Sequence, residues 1–116
     1  MAAADTASLD VKLVLHVPHF SWQGRLVENQ HAAFLRYLAA ELASVGITSF
    51  YSVPAAGFYK GRFYAEELVT VFCAEDQKEQ IIRIFENTSR TRNDLMQQEA
   101  FACECCGKLI VKSTAV

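Results

Sequence analysis

The chain has 116 residues, with 11 Lys and Arg against 13 Asp and Glu and a formal net charge of -2. This length fits one domain, and we expect residues 1–9 to be a disordered tail and residues 10–116 to form one α+β domain. The mild acidity argues against nucleic acid as the main partner, and the lack of a long uncharged apolar stretch argues against a membrane span. Residues 1–8 carry no recognisable secretory signal, so we expect a cytoplasmic protein with reduced thiols.

A strand and a long helix are predicted first. Residues 11–17 alternate with the period of two that is typical of a strand. One strand face carries Val11, Leu13, Leu15 and Val17, and the other carries Lys12, Val14 and His16. An amphipathic helix of about 18 residues is then predicted by apolar positions at three- and four-residue steps. Its stripe consists of Val27, His31, Phe34, Leu38, Leu42 and Val45, and Gly46 is placed to end the helix in the left-handed conformation.

The middle of the chain predicts two more strands. Residues 47–53 form the second strand, which we expect to end before Pro54. Residues 55–64 are predicted to be a connection, because glycines mark turns in it. Residues 67–73, rich in β-branched and aromatic side chains, predict the third strand.

The last third of the chain predicts a second helix and a final strand region. Asp76 with Glu79 three residues later is the pattern of a capping box, and Ile81 begins the apolar face of the helix that follows. Residues 99–106 and 108–112 predict one strand or a strand pair, with a bulge or a turn at the glycine between them.

The order strand, helix, strand, strand, helix, strand is the ferredoxin-like βαββαβ pattern. Right-handed crossovers would place strands 1 and 3 at the centre of an antiparallel sheet, with strand 4 beside strand 1. Both helices would cover one sheet face. The other face would be open to solvent, to a second subunit or to a ligand.

This arrangement resembles the PII-like signal proteins, a branch of the same fold. The segments that carry the resemblance are Lys12-Leu13-Val14, Gly46-Ile47, Tyr59-Lys60-Gly61, and Val69 and Val71 followed by Asp76. The resemblance spans residues 11–111 in the order of elements, and it implies the fold. Because the connection between strands 2 and 3 is much shorter than the long loop of that family, no functional residue is carried over.

Four cysteines stand out: Cys73, Cys103, Cys105 and Cys106. A structural zinc site usually needs two spaced ligand pairs, whereas Cys103 and Cys105 would share one strand face and Cys106 would point away. The favoured interpretation is buried thiols that act as small hydrophobes. We therefore expect no metal and no cofactor, with zinc or redox chemistry as the alternative.

His16 is the strongest catalytic candidate. It is predicted on the open sheet face, where Glu104 of the antiparallel last strand would lie on the same side. A histidine and a carboxylate in a sheltered cavity could transfer a proton. The alternative is an ordinary cross-strand polar pair, in which Glu104 contacts Lys12 or His16.

Four cations are candidate ligand-binding residues: Lys60, Arg62, Arg90 and Arg92. Arginine suits the recognition of phosphate or carboxylate groups. Nothing in the sequence brings the two pairs together, so solvated surface charges are the alternative.

Two functions remain open. The first is a non-catalytic binding or regulatory module that forms an oligomer and holds a small ligand. The second is a small enzyme with its cavity on the open sheet face around His16 and Glu104. Nucleotide-binding, hydrolase and metalloprotease signatures such as Gly-x-Gly-x-x-Gly, Gly-x-Ser-x-Gly and His-Glu-x-x-His do not occur in the sequence, which favours the first.

Self-association is predicted from the uncovered sheet face and from a run of aromatic residues. A two-layer domain leaves one sheet face bare. Aromatic side chains in a connection are also typical of interfaces, since they bury large areas at a small entropy cost. We expect a homodimer or a larger ring whose interface includes Phe58, Tyr59, Phe63 and Tyr64.

Overall fold

The structure is a computed structural model that describes residues 9–21 and 24–115. Its elements in chain order are β1 (Val11–Pro18), α1 (Glu28–Ala43), β2 (Tyr51–Tyr59), β3 (Arg62–Cys73), α2 (Lys78–Thr91), α3 (Asn93–Met96), β4 (Ala100–Cys105) and β5 (Lys108–Ser113). The predicted tail lies outside the described residues except for its last residue, Leu9.

The five strands form one sheet in the order β2-β3-β1-β4-β5, and every neighbouring pair is antiparallel. Strands β1 and β3 are central and β4 lies beside β1, as predicted. The fold class, an α+β ferredoxin-like arrangement, is therefore confirmed. The fifth strand arises because the last segment is a hairpin, the strand-pair alternative, with Cys106 and Gly107 in its turn at φ of 59° and 77°.

The core lies between the helices and one face of the sheet. Alternate residues of β1 point into it, and Leu13 and Leu15 are essentially inaccessible. The predicted stripe of α1 faces them through Leu38 and Leu42, both at 0% exposure. The helix ends as expected: Gly46 has φ of 86°, and the Ile47 N–H donates to the carbonyl of Leu42 at 2.9 Å.

The second strand differs from the prediction. Strand β2 begins at Tyr51 and continues through Pro54 to Tyr59, and β3 begins at Arg62, so the expected connection at residues 55–64 is instead strand except for a two-residue turn. A proline is tolerated there because β2 is an edge strand, which can leave one side of its backbone unpaired. Gly57 marks a close approach and not a turn, since a Cβ on it would lie 2.4 Å from Cζ of Tyr64.

The distal part of this hairpin extends past the rest of the sheet. Strand β1 pairs with β3 only from Glu66 to Cys73, so within the sheet residues 56–65 pair only with each other, and Ala55 pairs with Glu66. A two-residue turn at Lys60 and Gly61, both with positive φ, closes the hairpin. We call residues 55–65 the hairpin arm.

The start of α2 also differs from the prediction. Residues Glu75–Gln77 form a 3-10 turn, and Asp76 lies inside it instead of capping the helix. The capping contact comes from Gln77, whose side-chain Oε1 accepts a hydrogen bond from the Ala74 N–H at 2.9 Å. A 3-10 turn at a helix start is common, and it shifts the start of the helix by one residue relative to the sequence pattern. Among the described residues, no helix is long and apolar enough to cross a membrane.

The packing of α1 on the sheet gives a stability prediction. Replacing Leu38 with Ala should lower the free energy of unfolding by about 2–5 kcal/mol, because the residue is fully buried and the vacated space cannot fill completely. The exposed Arg36→Ala on the same helix should change it by about 0.5 kcal/mol or less. Urea unfolding followed by circular dichroism measures both, and equal effects of the two substitutions would show that the helix face is wrongly assigned.

Candidate functional site

The sheet face opposite the helices carries the candidate site. The strand register places alternate residues of β1, β3 and β4 on this face, including Lys12, Val14 and His16 of β1. Val14 and Thr70 are buried there, at 7% and 3% exposure, although none of the described helices covers them. Neighbouring side chains therefore shield some positions of this face from solvent.

His16 lies between two carboxylates on this face. Its Nε2 is 2.6 Å from Oε2 of Glu104, and its Nδ1 is 3.4 Å from Oε1 of Glu66. The structure thus brings together the predicted pair, His16 and Glu104. The pair is diagonal, since Ala102 is the direct cross-strand partner of His16. Its proposed role in catalysis stays a prediction.

Sequence reasoning missed the third member, Glu66. The side chain is 6% exposed, against 48% for Glu104. Its Oε2 is buried and has no hydrogen-bond partner among the described residues. Since nearly all buried polar atoms in proteins are paired, such an atom calls for an explanation. The missed signal was the strand start: extending β3 by period two from Leu68 would have placed Glu66 on the open face.

The imidazole of His16 can donate to one carboxylate or to both, depending on its charge. A neutral imidazole has one N–H and one bare nitrogen, so it can donate to only one carboxylate. Only the protonated ring donates on both sides, and it would then carry one positive charge between two negative ones. The arrangement can bind or release a proton between Glu66 and Glu104, and its outer carboxylate is exposed to an incoming molecule.

An open groove of about 680 Å³ extends from His16 along the end of the sheet. Its lining includes Lys12, Val14 and Glu104 near the histidine, and the β4–β5 turn at the far end. Ligand sites usually bury most of their ligand. This groove is open on one side, so an occupant would gain full burial only if another surface covered it.

The four candidate cations do not meet. Lys60 and Arg62 lie at the tip of the hairpin arm, whereas Arg90 and Arg92 lie at the end of α2. Arg90 pairs with Glu86 at 3.2 Å. Arg92 pairs with Asp94 at 3.2 Å, and its guanidinium lies 4.1 Å from the ring centre of Tyr37. Their role in anion binding stays a prediction. Because the two pairs lie on different elements, each pair would have to bind an anion separately.

The aromatic residues predicted at an interface lie on the hairpin arm. Phe58 and Phe63 face each other across it, with ring centres 4.8 Å apart, and they are 64% and 80% exposed. Tyr64 is partly buried over Gly57. The side chain of Tyr59 lies outside the described part of the structure.

The thiols are free, and three of the four are buried, as expected for small hydrophobes: Cys73, Cys103 and Cys105. The expectation fails for Cys106, which is exposed in the β4–β5 turn. Burial raises the pKa of Cys73 and of Cys103. Burial, with the hydrogen bond to Cys106, raises the pKa of Cys105 to about 11.

The remaining histidines support structure. The ring of His19 contacts that of His31 edge-on, with centres 4.9 Å apart. Nε2 of His31 is 3.4 Å from the carbonyl oxygen of Val17, which ties α1 to β1. The described residues contain no cluster of three or more His, Cys, Asp or Glu that could hold a metal ion.

Comparison with solved structures places the chain among known folds. A phage SAM lyase in complex with S-methyl-5'-thioadenosine is similar over 92% of both chains, with a TM-score of 0.63 and 12% identity. The same kind of enzyme in its apo state is similar over 93% of this chain and 94% of that one, with a TM-score of 0.53 and 12% identity. Arabidopsis thaliana PII bound to citrate is similar over 92% of this chain and 76% of that one, with a TM-score of 0.53 and 18% identity.

The fold is PII-like. The resemblance expected from the sequence is thereby confirmed at the level of the fold. At 12–18% identity these similarities extend to the fold alone. No known family model matches the chain, and no curated protein matches its sequence.

Thiol labelling tests the burial pattern and its pH dependence. At pH 7.5 in native buffer, one thiol of the four should react rapidly, and Cys106→Ser should remove that reaction. Raising the pH to 9 should still leave Cys105 slow, since its raised pKa keeps the thiol protonated and unreactive. Spectrophotometric titration with an aromatic disulfide measures both. Rapid reaction of two or more thiols at pH 7.5 would contradict the burial pattern.

Proposed function

We propose that the protein is a homo-oligomeric binding module that holds a small molecule on the open sheet face, at His16, Glu66 and Glu104. The observation that carries the proposal is the buried, unpartnered Oε2 of Glu66 next to a histidine. A buried acceptor without a donor costs about 1–3 kcal/mol. A ligand that supplied the donor would recover this cost on binding.

The chemistry of the site indicates the ligand class. Two carboxylates accept hydrogen bonds, and they favour a group that is positively charged or rich in N–H or O–H donors. Val14 and the exposed Leu109 offer apolar contact in the groove that His16 and Glu104 line together with Lys12 and Lys108. A small molecule with a cationic or donor end and an apolar body fits both features. Two proteins of similar fold hold small organic molecules, S-methyl-5'-thioadenosine and citrate, which supports a small-molecule ligand here.

A second copy of the chain is the proposed cover of the groove. The hairpin arm carries exposed Phe58 and Phe63 together with the cations Lys60 and Arg62. The open sheet face carries carboxylates and several exposed apolar residues: Tyr51, Val53, Phe72, Leu109 and Val111. The two surfaces are complementary in charge and in apolar character. We propose a homodimer in which these surfaces meet, in a cytoplasmic protein with reduced thiols.

A binding experiment tests the site. Among S-adenosylmethionine, S-methyl-5'-thioadenosine and citrate, the sulfonium cation should bind best, because it alone adds positive charge opposite the carboxylates. Glu66→Gln should weaken it about tenfold or more, since a charge-assisted contact contributes about 1.5–3 kcal/mol. The exposed Glu79→Gln on α2 is the matched control. Isothermal titration calorimetry measures the affinities, and equal affinity in wild type and Glu66→Gln would contradict the proposal.

The same samples decide the second candidate, an enzyme that transfers a proton at His16. The observation that favours it is the histidine between two carboxylates, in a fold shared with a SAM lyase. Wild-type protein incubated with S-adenosylmethionine would then form S-methyl-5'-thioadenosine, and His16→Ala would lose this activity. Product at the buffer rate in the wild type, with binding retained, would reject the lyase and leave the binding module.

Self-association has its own test. Light scattering at micromolar concentration should give a mass of about twice 13.0 kDa or a higher multiple. Phe63→Asp and Arg62→Glu should each shift the mass toward the monomer, because they place acidic groups against an acidic face. Leu26→Asp, at a similarly exposed apolar position outside the arm, should leave it unchanged. A wild type that is monomeric across a wide concentration range would contradict the homo-oligomer.

A further inference from the structure

Two thiols meet in the turn between β4 and β5, at the far end of the groove that begins at His16. The Sγ atoms of Cys105 and Cys106 are in contact, although the residues are adjacent in sequence and side chains of adjacent strand residues point to opposite faces. The turn brings them together, because Cys106 has left-handed backbone with φ of 59°. Glycine, asparagine and aspartate are the usual residues at such a turn position.

A cysteine with positive φ destabilises the turn, and glycine, asparagine or aspartate at this position would do so less. A non-glycine residue with positive φ is disfavoured, and such outliers often coincide with functional sites. This backbone conformation brings one exposed and one buried sulfur together. Because Cys106 is exposed and Cys105 is buried beside it, a reagent from solvent reaches Cys106 first and then meets Cys105 at once.

A disulfide is a poor product for this pair. The Cα atoms of adjacent residues are about 3.8 Å apart across a trans peptide, and all peptide bonds described here are trans. Disulfides prefer Cα separations of about 4.4–6.8 Å, and departures from that range make the bond strained and easily reduced. A single atom bonded to both sulfurs relieves this strain, since it lengthens the bridge.

Zinc is also a poor occupant, since it prefers four ligands. The nearest other thiols are Cys103, two residues before Cys105 on the same face of β4 and about 7 Å away between Cα atoms, and Cys73 on β3, about two strand spacings, or 10 Å, away. The described residues supply no three-ligand group. The site therefore suits a soft centre that is satisfied by two sulfurs.

We propose that Cys105 and Cys106 form a vicinal dithiol that chelates a thiophilic metal or metalloid centre through two sulfur bonds. The chemistry is that of trivalent arsenic or another soft cation with low coordination number. With an arsenoxide, each thiol gives its proton to the arsenic-bound oxygen, two As–S bonds form, and one water leaves without any change in oxidation state. The ammonium of Lys78 lies near both sulfurs, and its positive charge lowers the pKa of Cys105 against the larger effect of burial.

Phenylarsine oxide is the probe for this proposal. Reduced wild-type protein should bind one equivalent and retain it during gel filtration in excess of a monothiol, because the second bond forms within the molecule. Cys106→Ser should weaken retention by about 100-fold or more, the scale of the advantage that a second intramolecular bond gives. Intact-mass spectrometry and arsenic analysis measure the adduct, and a dithiol should release it.

Matched variants make the result decisive. Cys73→Ser and Cys103→Ser should retain the arsenical like wild type, which separates the pair from the other two thiols, and His16→Ala should retain it too, which separates arsenical binding from binding of the proposed ligand. Because Cys106 is exposed, Cys106→Ser should fold normally, and circular dichroism checks this for Cys105→Ser as well. Loss of the arsenical from wild type during the monothiol challenge would overturn the proposal. Equal retention by Cys106→Ser would overturn it too.

Discussion

Strand β1 is covered by helices on one face and by none of the described helices on the other, and much of the structure depends on this asymmetry. The covered face holds the core, where Leu13 and Leu15 pack against α1 and α2. The open face must shelter its own apolar and polar groups with side chains of the sheet alone. Val14 and Thr70 are buried in this way. The open face thus has positions that are shielded from solvent, although none of the described helices packs on it.

The most consequential of these positions is that of Glu66. It stands where β3 leaves its pairing with β1 and continues into the hairpin arm. Its neighbours shield it from water, yet none of the described residues satisfies its inner oxygen. Local rules of polar satisfaction are most often broken at functional sites. A carboxylate that is half-satisfied in the free protein is more responsive to a bound donor than one that is fully paired.

The period of the apolar residues in the sequence correctly predicted the elements that bury only one face. The alternation of β1 and the stripe of α1 were sufficient because each depends on burial of one side. The arm was missed because Pro54 and Gly57 resemble turn signals, whereas an edge strand tolerates the proline and the ring of Tyr64 needs the glycine. Edge position and ring stacking are properties of the assembled sheet, so local sequence does not reveal them.

The candidate site was likewise predicted only in part from the sequence. Strand order and register, both inferred from the element pattern, were enough to place His16 and Glu104 on one face. Glu66 needed one more fact, namely that β3 begins at Arg62 and not at residue 67. That extension follows from pairing with β2, which the sequence pattern ended too early. One error at an edge strand thus concealed both the hairpin arm and the buried carboxylate.

The hairpin arm and Glu66 are physically continuous, and this bears on how binding and assembly could interact. Ala55 of the arm pairs directly with Glu66, while Phe58 and Phe63 each lie three residues further out. Holding the arm against a second copy would fix the backbone on both sides of the carboxylate. A ligand that ordered Glu66 would in turn order the base of the arm. Because coupling between two binding events is reciprocal, a ligand that prefers the assembled form must strengthen assembly by the same factor by which assembly strengthens its binding.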